Sequence, residues 1–185
     1  PLAGSWHAAK FIDPARDGAV LPVLALNEYK IATPTLLARI PEAELLELMR
    51  GYGYDPHVVS GDDPGPVHQA FAETLETCLD KVAAIQERAR TATEPPGPDD
   101  SGPAWPMIIM RTPKGWTCPP EVDGQRVEGT FRAHQVPLPG ARTDGTHRTV
   151  LEQWMKTYRP EELFDEQGRP VPELLELPPT GPRRM

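Results

Sequence analysis

Three short apolar segments of this sequence are each followed by a polar turn whose side chains can bind a small charged ligand. The turns cover residues 27–30, 60–63 and 111–114, and they contribute an amide, carboxylates and cations. If the apolar segments are strands of one parallel sheet, ligands bind in the crevice outside their carboxyl ends. The three turns are therefore predicted to lie together and to form the candidate site.

The third turn lies in the most basic part of an acidic chain. The 185 residues include 19 Lys and Arg against 27 Asp and Glu, a net charge of −8, whereas residues 107–148 hold six basic and four acidic side chains. The overall balance argues against nucleic-acid binding, which needs a broad basic face. The basic island favours an anionic small molecule, although chance could also produce so small an excess.

Membrane insertion and a cysteine framework are both disfavoured by the sequence. The longest apolar run, residues 19–26, is too short to cross a bilayer and contains Pro22. Cys78 and Cys118 match neither a disulfide framework nor a zinc-site spacing. We expect a cytoplasmic protein that binds no membrane and no nucleic acid.

Alternating strand and helix patterns predict an α/β fold, with a parallel sheet and flanking helices. Residues 19–26 are predicted to be a strand buried on both faces, because the run is continuously apolar. Two further strands are predicted at residues 57–60 and 106–110. Helices are predicted near residues 1–12, 41–50, 150–158 and 161–164.

A long amphipathic helix is predicted after residue 64, because apolar residues recur there every three or four positions. Its predicted buried stripe consists of Val67, Phe71, Leu75, Cys78, Leu79, Val82 and Ile85. Residues 93–104 are predicted to be a surface loop, and residues 115–147 to be irregular. Neither Pro1 nor Met185 resembles a finished terminus, so we expect an excerpt of a longer chain.

Several sequence motifs occur in order along nearly the whole chain. The most specific pair is RTPKGWT at 111–117 and VEGTFRAHQVPL at 127–138. The others are SWHAAKF at 5–11, DGAVLPVLALNEYKIATPT at 17–35, LARIP at 37–41, RGYGYDP at 50–56, GDDP at 61–64 and YRPEELFDEQG at 158–168. Together these motifs resemble phosphoketolase, a thiamine diphosphate-dependent enzyme related to transketolase.

The resemblance implies a piece of the amino-terminal domain that binds thiamine diphosphate and Mg²⁺, with a transketolase-like fold. Residues 1–164 would belong to that domain, and residues 165–185 would be a proline-rich connector. The family cleaves xylulose 5-phosphate, and often fructose 6-phosphate, with inorganic phosphate to give acetyl phosphate and a shorter aldose phosphate. The implied partners are the rest of the parent chain and a second subunit in a homodimer, so the isolated chain is expected to be inactive.

Four site residues follow from the same resemblance. Asn27 would bind Mg²⁺ through its amide oxygen and Tyr29 through its backbone carbonyl, and both are hard oxygen ligands. Lys114 would contact the diphosphate and take part in catalysis, and His134 would donate to a phosphate or move protons. Without the resemblance, Asn27 could simply end a strand, Lys114 could be a surface lysine and His134 could be structural.

Two departures from the family pattern concern the shape of the pocket. Glu28 stands where glycine is common, and Cys118, followed by Pro119, stands where a small residue is expected. The family's metal-binding aspartate would lie immediately before Pro1. Two alternatives stay open: a transketolase-type enzyme, which needs an acceptor aldose instead of phosphate, and a noncatalytic remnant that binds no cofactor.

Overall fold

A three-stranded parallel sheet forms the centre of the computed structural model, which describes residues 2–93, 97, 101–135 and 137–178. Its strands are β1 (Val23–Ala25), β2 (Tyr54–Ser60) and β3 (Trp105–Arg111), in the order β1-β3-β2. In the register, Ile109 of β3 lies beside Leu24 of β1 and Val58 of β2. The α/β class predicted from the alternation of elements is confirmed.

The middle strand β3 supplies the core for both faces of the sheet. Met107 and Ile109 belong to the cluster on one face, and Ile108 belongs to the cluster on the other. Adjacent side chains of a strand point to opposite faces, so a continuous apolar run is what a strand covered on both sides requires. The sequence pattern at residues 106–110 therefore located this strand to within one residue at each end.

The helices predicted near residues 1–12 and 41–50 and after residue 64 form close to those positions, whereas the one predicted over residues 150–158 begins five residues earlier and the last one was not predicted. The helices are α1 (Leu2–Ser5), continued as a 3₁₀ helix (Trp6–Phe11), α2 (Glu42–Gly51), α3 (Pro64–Thr91), α4 (Gly145–Lys156) and α5 (Pro172–Glu176). Further 3₁₀ turns lie at Leu37–Arg39, Phe131–Ala133 and Pro160–Glu162. Asp63 starts α3 by accepting a hydrogen bond from the Gly65 amide, and Asp144 caps α4 in the same way.

Two details of the predicted burial are wrong. The strand predicted over residues 19–26 forms only at β1, and Val23 is 45% exposed. Within the described part of the chain β1 is an edge strand that pairs with β3 alone, so its apolar residues are not enclosed on both sides. In α3, Leu79 is 53% exposed, because it lies one residue, about 100° of helical turn, from the buried Cys78.

Residues 115–147 are more ordered than predicted. Strands β4 (Glu121–Val122) and β5 (Gln125–Arg126) form a short hairpin, beneath which Val122, Val127 and Leu138 make a small third core. The buried His147 of α4 accepts a hydrogen bond from the Gly140 amide at Nδ1. Its Nε2 lies 2.9 Å from Asp123, so the proton sits on Nε2 and the ring ties the hairpin to α4.

The remaining predictions concern the linker segments and the membrane. Residues 94–96 and 98–100 of the predicted loop lie outside the described residues, and the predicted connector after residue 164 contains α5. No helix within the described ranges has the length and apolar character needed to cross a membrane.

Candidate functional site

The three polar turns meet in one pocket at the carboxyl ends of the strands. The pocket has a volume of about 380 Å³. Its lining comes from all three turns and from the hairpin segment: Leu26, Glu28, Tyr29, Gly61, Asp62, Arg111, Thr112, Pro113, Lys114, Arg126 and Gly129. Parallel topology thus brings together residues that are distant along the chain, as predicted.

Two consecutive tight turns shape the segment that carries Lys114. The Trp116 amide donates to the Pro113 carbonyl at 3.0 Å, and the Cys118 amide donates to the Gly115 carbonyl at 2.8 Å. Gly115 has φ +67° and Thr117 has φ +68°. Glycine tolerates this left-handed conformation, but a β-branched residue such as threonine adopts it only under constraint.

The Lys114 ammonium joins the first turn to the third. Its Nζ donates to the carbonyl oxygens of Lys30 at 3.1 Å and Tyr29 at 3.4 Å. It also lies 3.4 Å from Nδ1 of His134, which follows the 3₁₀ turn Phe131–Ala133 and is exposed. Three of the four predicted site residues, Tyr29, Lys114 and His134, are therefore in mutual proximity around one ammonium group.

Asn27 lies beside this group rather than in it. Its Oδ1 accepts a hydrogen bond from the Tyr29 amide at 3.3 Å. Leu26 and Glu28 line the pocket, but Asn27 is not among the described residues that do. The amide of Asn27 and the carbonyl of Tyr29 are the oxygen donors that Mg²⁺ prefers. The Tyr29 carbonyl accepts a hydrogen bond from the Lys114 ammonium in this structure, so a metal ion at that oxygen would replace this contact.

The chain's donors fit magnesium as a partial ligand set. Within the described ranges, no group of three or more His, Cys, Asp or Glu side chains could hold a metal ion. Mg²⁺ is usually held by one or two carboxylates together with phosphate oxygens and water, so these two neutral oxygens would need a carboxylate ligand beside them. Two oxygen donors beside a cationic pocket are consistent with that mode of binding.

Sequence reasoning missed one cation of the pocket, Arg126. Its guanidinium Nε donates to the Glu128 carbonyl at 3.1 Å, whereas Arg111, which lay in a nominated turn, pairs with Glu42 at 2.9 Å. The signal that could have found Arg126 is the dipeptide Asp123–Gly124, since Asp-Gly favours a two-residue hairpin turn. Both of these residues have positive φ, as that turn requires.

Cys118 lies in the same loop but is not poised as a nucleophile. Burial, reinforced by the negative charge of Glu128, holds the pKa of its thiol above the ordinary value. The nucleophilic form of cysteine is the thiolate, so a raised pKa keeps this thiol neutral and unreactive near pH 7.

The backbone at Glu28 adopts a conformation that suits glycine better than other residues. Glu28 has φ +73° and an exposed side chain, and a non-glycine residue in this conformation costs about 1–2 kcal/mol. We expect Glu28→Gly to raise the free energy of unfolding by up to about 1 kcal/mol, after the greater chain entropy of glycine is subtracted.

A matched control for Glu28 is Glu76, an exposed residue in the interior of α3. Glu76→Gly is expected to lower the free energy of unfolding by about 0.5–1 kcal/mol, because glycine is unfavourable inside a helix. Denaturant unfolding measures the free energy of unfolding of both variants, which is expected to rise in Glu28→Gly and to fall in Glu76→Gly. A loss of stability of equal size in both would contradict the role assigned to the Glu28 backbone.

The comparisons with known proteins agree on one family. Residues 1–185 match the family model described as XFP N-terminal domain. A protein named "Probable phosphoketolase" from Nocardia farcinica is 69% identical over 185 residues, and one from Streptomyces coelicolor is 58% identical. "Probable phosphoketolase 1" from a Nostoc species is 56% identical. Each alignment covers 100% of this chain but only 22–23% of the relative, so the chain spans less than a quarter of the relatives' length.

Proposed function

Because the chain belongs to the XFP N-terminal domain family, we propose that it is the cofactor-binding part of a phosphoketolase. Such an enzyme converts xylulose 5-phosphate or fructose 6-phosphate and inorganic phosphate into acetyl phosphate, a shorter aldose phosphate and water. The observation that supports this proposal best is the meeting of Tyr29, Lys114 and His134 at the carboxyl ends of the strands.

The proposed cofactors are thiamine diphosphate and Mg²⁺. Thiamine diphosphate supplies the chemistry that breaks the carbon–carbon bond of the ketose. Asn27 and the Tyr29 carbonyl would hold the metal beside the diphosphate, with the remaining ligands supplied by phosphate, water and residues outside this chain. Lys114 and Arg126 are the lining cations proposed to contact the diphosphate, since Arg111 is paired with Glu42 and the carboxylates of Glu28 and Asp62 also line the pocket.

Lys114 and His134 have complementary roles in this proposal. The Lys114 ammonium can only donate, so the facing Nδ1 of His134 acts as acceptor and the ring proton lies on Nε2. Nε2 is then the atom that can donate to a phosphate oxygen or exchange a proton with a bound substrate. Lys114 neutralises anionic charge while it holds the imidazole in that tautomer.

The proposal also covers organisation and location. Residues 1–164 are assigned to the cofactor-binding domain and residues 165–185 to a connector toward the rest of the parent chain. The complete enzyme is proposed to be a cytoplasmic homodimer. Light scattering of the complete enzyme tests the subunit number.

The activity itself gives a direct test of the proposed function. We expect the complete enzyme, supplied with Mg²⁺ and thiamine diphosphate, to form acetyl phosphate from xylulose 5-phosphate only when inorganic phosphate is present. The 185 residues alone are expected to form none, because catalytic groups from other parts of the enzyme are needed. Acetyl phosphate is measured as its hydroxamate.

Two results would overturn this assignment in different ways. Turnover that requires an acceptor aldose such as ribose 5-phosphate, and ignores phosphate, would identify a transketolase-type enzyme. Failure of the complete protein to bind Mg²⁺ and thiamine diphosphate, measured by calorimetry, would identify a noncatalytic module.

A further inference from the structure

Glu128 connects the Lys114 loop to the segment that carries His134. We propose that Glu128 is a positioning residue that holds Lys114 in place through the backbone of Thr117. This inference rests on the function proposed for Lys114 and adds a residue to which neither the motifs nor the pocket lining gave a role.

The first step is the strained conformation of Thr117. A β-branched residue at φ +68° is an outlier that persists only when its surroundings determine it. Three contacts do so: the Thr117 amide donates to Glu128 Oε1 at 2.8 Å, and its carbonyl accepts from Trp154 Nε1 at 2.7 Å. Its hydroxyl lies 2.7 Å from the Tyr158 hydroxyl.

Glu128 supplies the charged contact among these three. A carboxylate that accepts from an amide makes a stronger hydrogen bond than a neutral acceptor does. The side chain is half-buried, so the bond is partly shielded from water. Loss of this acceptor would leave the Thr117 amide without its partner and release the strain in the loop.

The chain around Glu128 carries the same constraint to Lys114 and His134. The next residue, Gly129, donates its amide to the Lys114 carbonyl at 2.7 Å. Thr130 then caps the 3₁₀ turn Phe131–Ala133, after which His134 follows directly. Glu128 thus lies where the loop of Lys114 and the segment of His134 are joined, and the 3.4 Å separation of their nitrogens depends on that junction.

The test compares Glu128→Ala with Glu128→Gln in the complete enzyme. We expect kcat to fall about tenfold in Glu128→Ala, because the variant loses the hydrogen bond from the Thr117 amide that holds the Lys114 loop. Glu128→Gln keeps an oxygen acceptor and should retain most of the activity. Glu121→Ala removes an exposed carboxylate from the adjacent hairpin and is the matched control, with unchanged kcat.

A second readout follows the loop without relying on activity. Cys118 lies one residue after Thr117 and is half-buried, whereas Cys78 is fully buried in α3. Mass spectrometry of alkylated peptides should show several-fold faster alkylation of Cys118 in Glu128→Ala than in Glu128→Gln, a comparison in which both variants lack the Glu128 charge that raises the pKa of the Cys118 thiol. Alkylation of Cys78 should stay slow in both variants, because its side chain is fully buried in the core between α3 and the sheet.

The outcomes separate this inference from the proposed function. If Lys114→Ala lowers turnover but Glu128→Ala changes neither kcat nor Cys118 alkylation, the inference fails and the proposed function stands. If Glu128→Ala speeds alkylation of Cys78 as much as that of Cys118, the role of Glu128 is global stability, and the inference also fails. Full activity of Lys114→Ala would instead refute the function proposed for Lys114.

A variant with a smaller perturbation keeps the test decisive if Glu128→Ala does not fold. Glu128→Asp keeps the negative charge beside the Cys118 thiol but shortens the side chain by one methylene, which breaks the 2.8 Å contact with the Thr117 amide. It should speed Cys118 alkylation in the same direction with a smaller loss of kcat. Unchanged alkylation and unchanged kcat in Glu128→Asp would show that the Glu128 contact does not hold the loop.

Discussion

Replacing Lys114 with alanine in the complete enzyme is expected to lower kcat by roughly 10²- to 10³-fold, the usual effect of removing one preorganised donor from an active site. The unfolding temperature should change by only a few degrees, because the half-buried lysine is held by two long hydrogen bonds to backbone carbonyls, at 3.1 and 3.4 Å. Initial rates of acetyl phosphate formation and thermal unfolding measure the two properties.

Lys156→Ala provides the control for charge. Lys156 is an exposed cation on α4 that pairs with Glu152 and does not line the pocket. Its replacement should leave kcat unchanged, since a surface ion pair on a helix contributes little. If Lys114→Ala lost activity and thermal stability in equal measure, Lys114 would have to be regarded as a structural residue.

His134 allows the pairing with Lys114 to be tested. His134→Ala alone should also reduce kcat much more than thermal stability. The double variant should lose less than the product of the two single losses, because each single change already disrupts the 3.4 Å contact. Fully multiplicative losses would show that the two side chains act independently.

Gly115→Ala is expected to be the most destabilising single change in the site loop. An added Cβ would lie 2.3 Å from the Cβ of Ala133, and φ is +67°. The left-handed backbone costs about 1–2 kcal/mol and the steric overlap about 1–3 kcal/mol more. We expect the free energy of unfolding to fall by the sum of both effects, and kcat to fall with it because Lys114 is the adjacent residue.

Gly124 separates the two causes of that loss. It has φ +71°, and an added Cβ would meet no described atom within 4 Å. Gly124→Ala should therefore show the backbone cost alone, and the difference between the variants in denaturant unfolding measures the overlap with Ala133. Equal destabilisation of Gly115→Ala and Gly124→Ala would mean that the segments of Gly115 and Ala133 move apart at no cost in free energy.

The meeting of the three turns could be predicted because parallel strands leave no other place for their carboxyl ends. The continuous apolar run through Ile108 and Ile109 identified the strand that is buried on both faces. The similar apolar run before Leu26 led to the wrong prediction that Val23 is buried. The burial of a strand residue depends on which strands and helices pack against it, and the apolar run does not specify those neighbours.

The supporting contacts of the site could not be predicted, because they join residues with no common pattern. Glu128 contacts Thr117 across 11 residues, and Trp154 reaches the same residue across 37. His147 is one of several histidines with no distinctive neighbours in sequence, yet two hydrogen bonds fix its ring in the fold. Such contacts depend on how the elements pack, which composition and periodicity do not specify.

The strand order β1-β3-β2 affects how the sheet can form while the chain is being synthesised on the ribosome. The strand in the middle of the sheet is the last of the three to be synthesised, so among the described strands β1 and β2 gain the neighbour they share only when β3 emerges. The Lys114 ammonium is made 84 residues after the Lys30 carbonyl that accepts its hydrogen bond. At bacterial and eukaryotic translation speeds this interval lasts about 4–17 s, during which the nascent strands are exposed to aggregation and to chaperones.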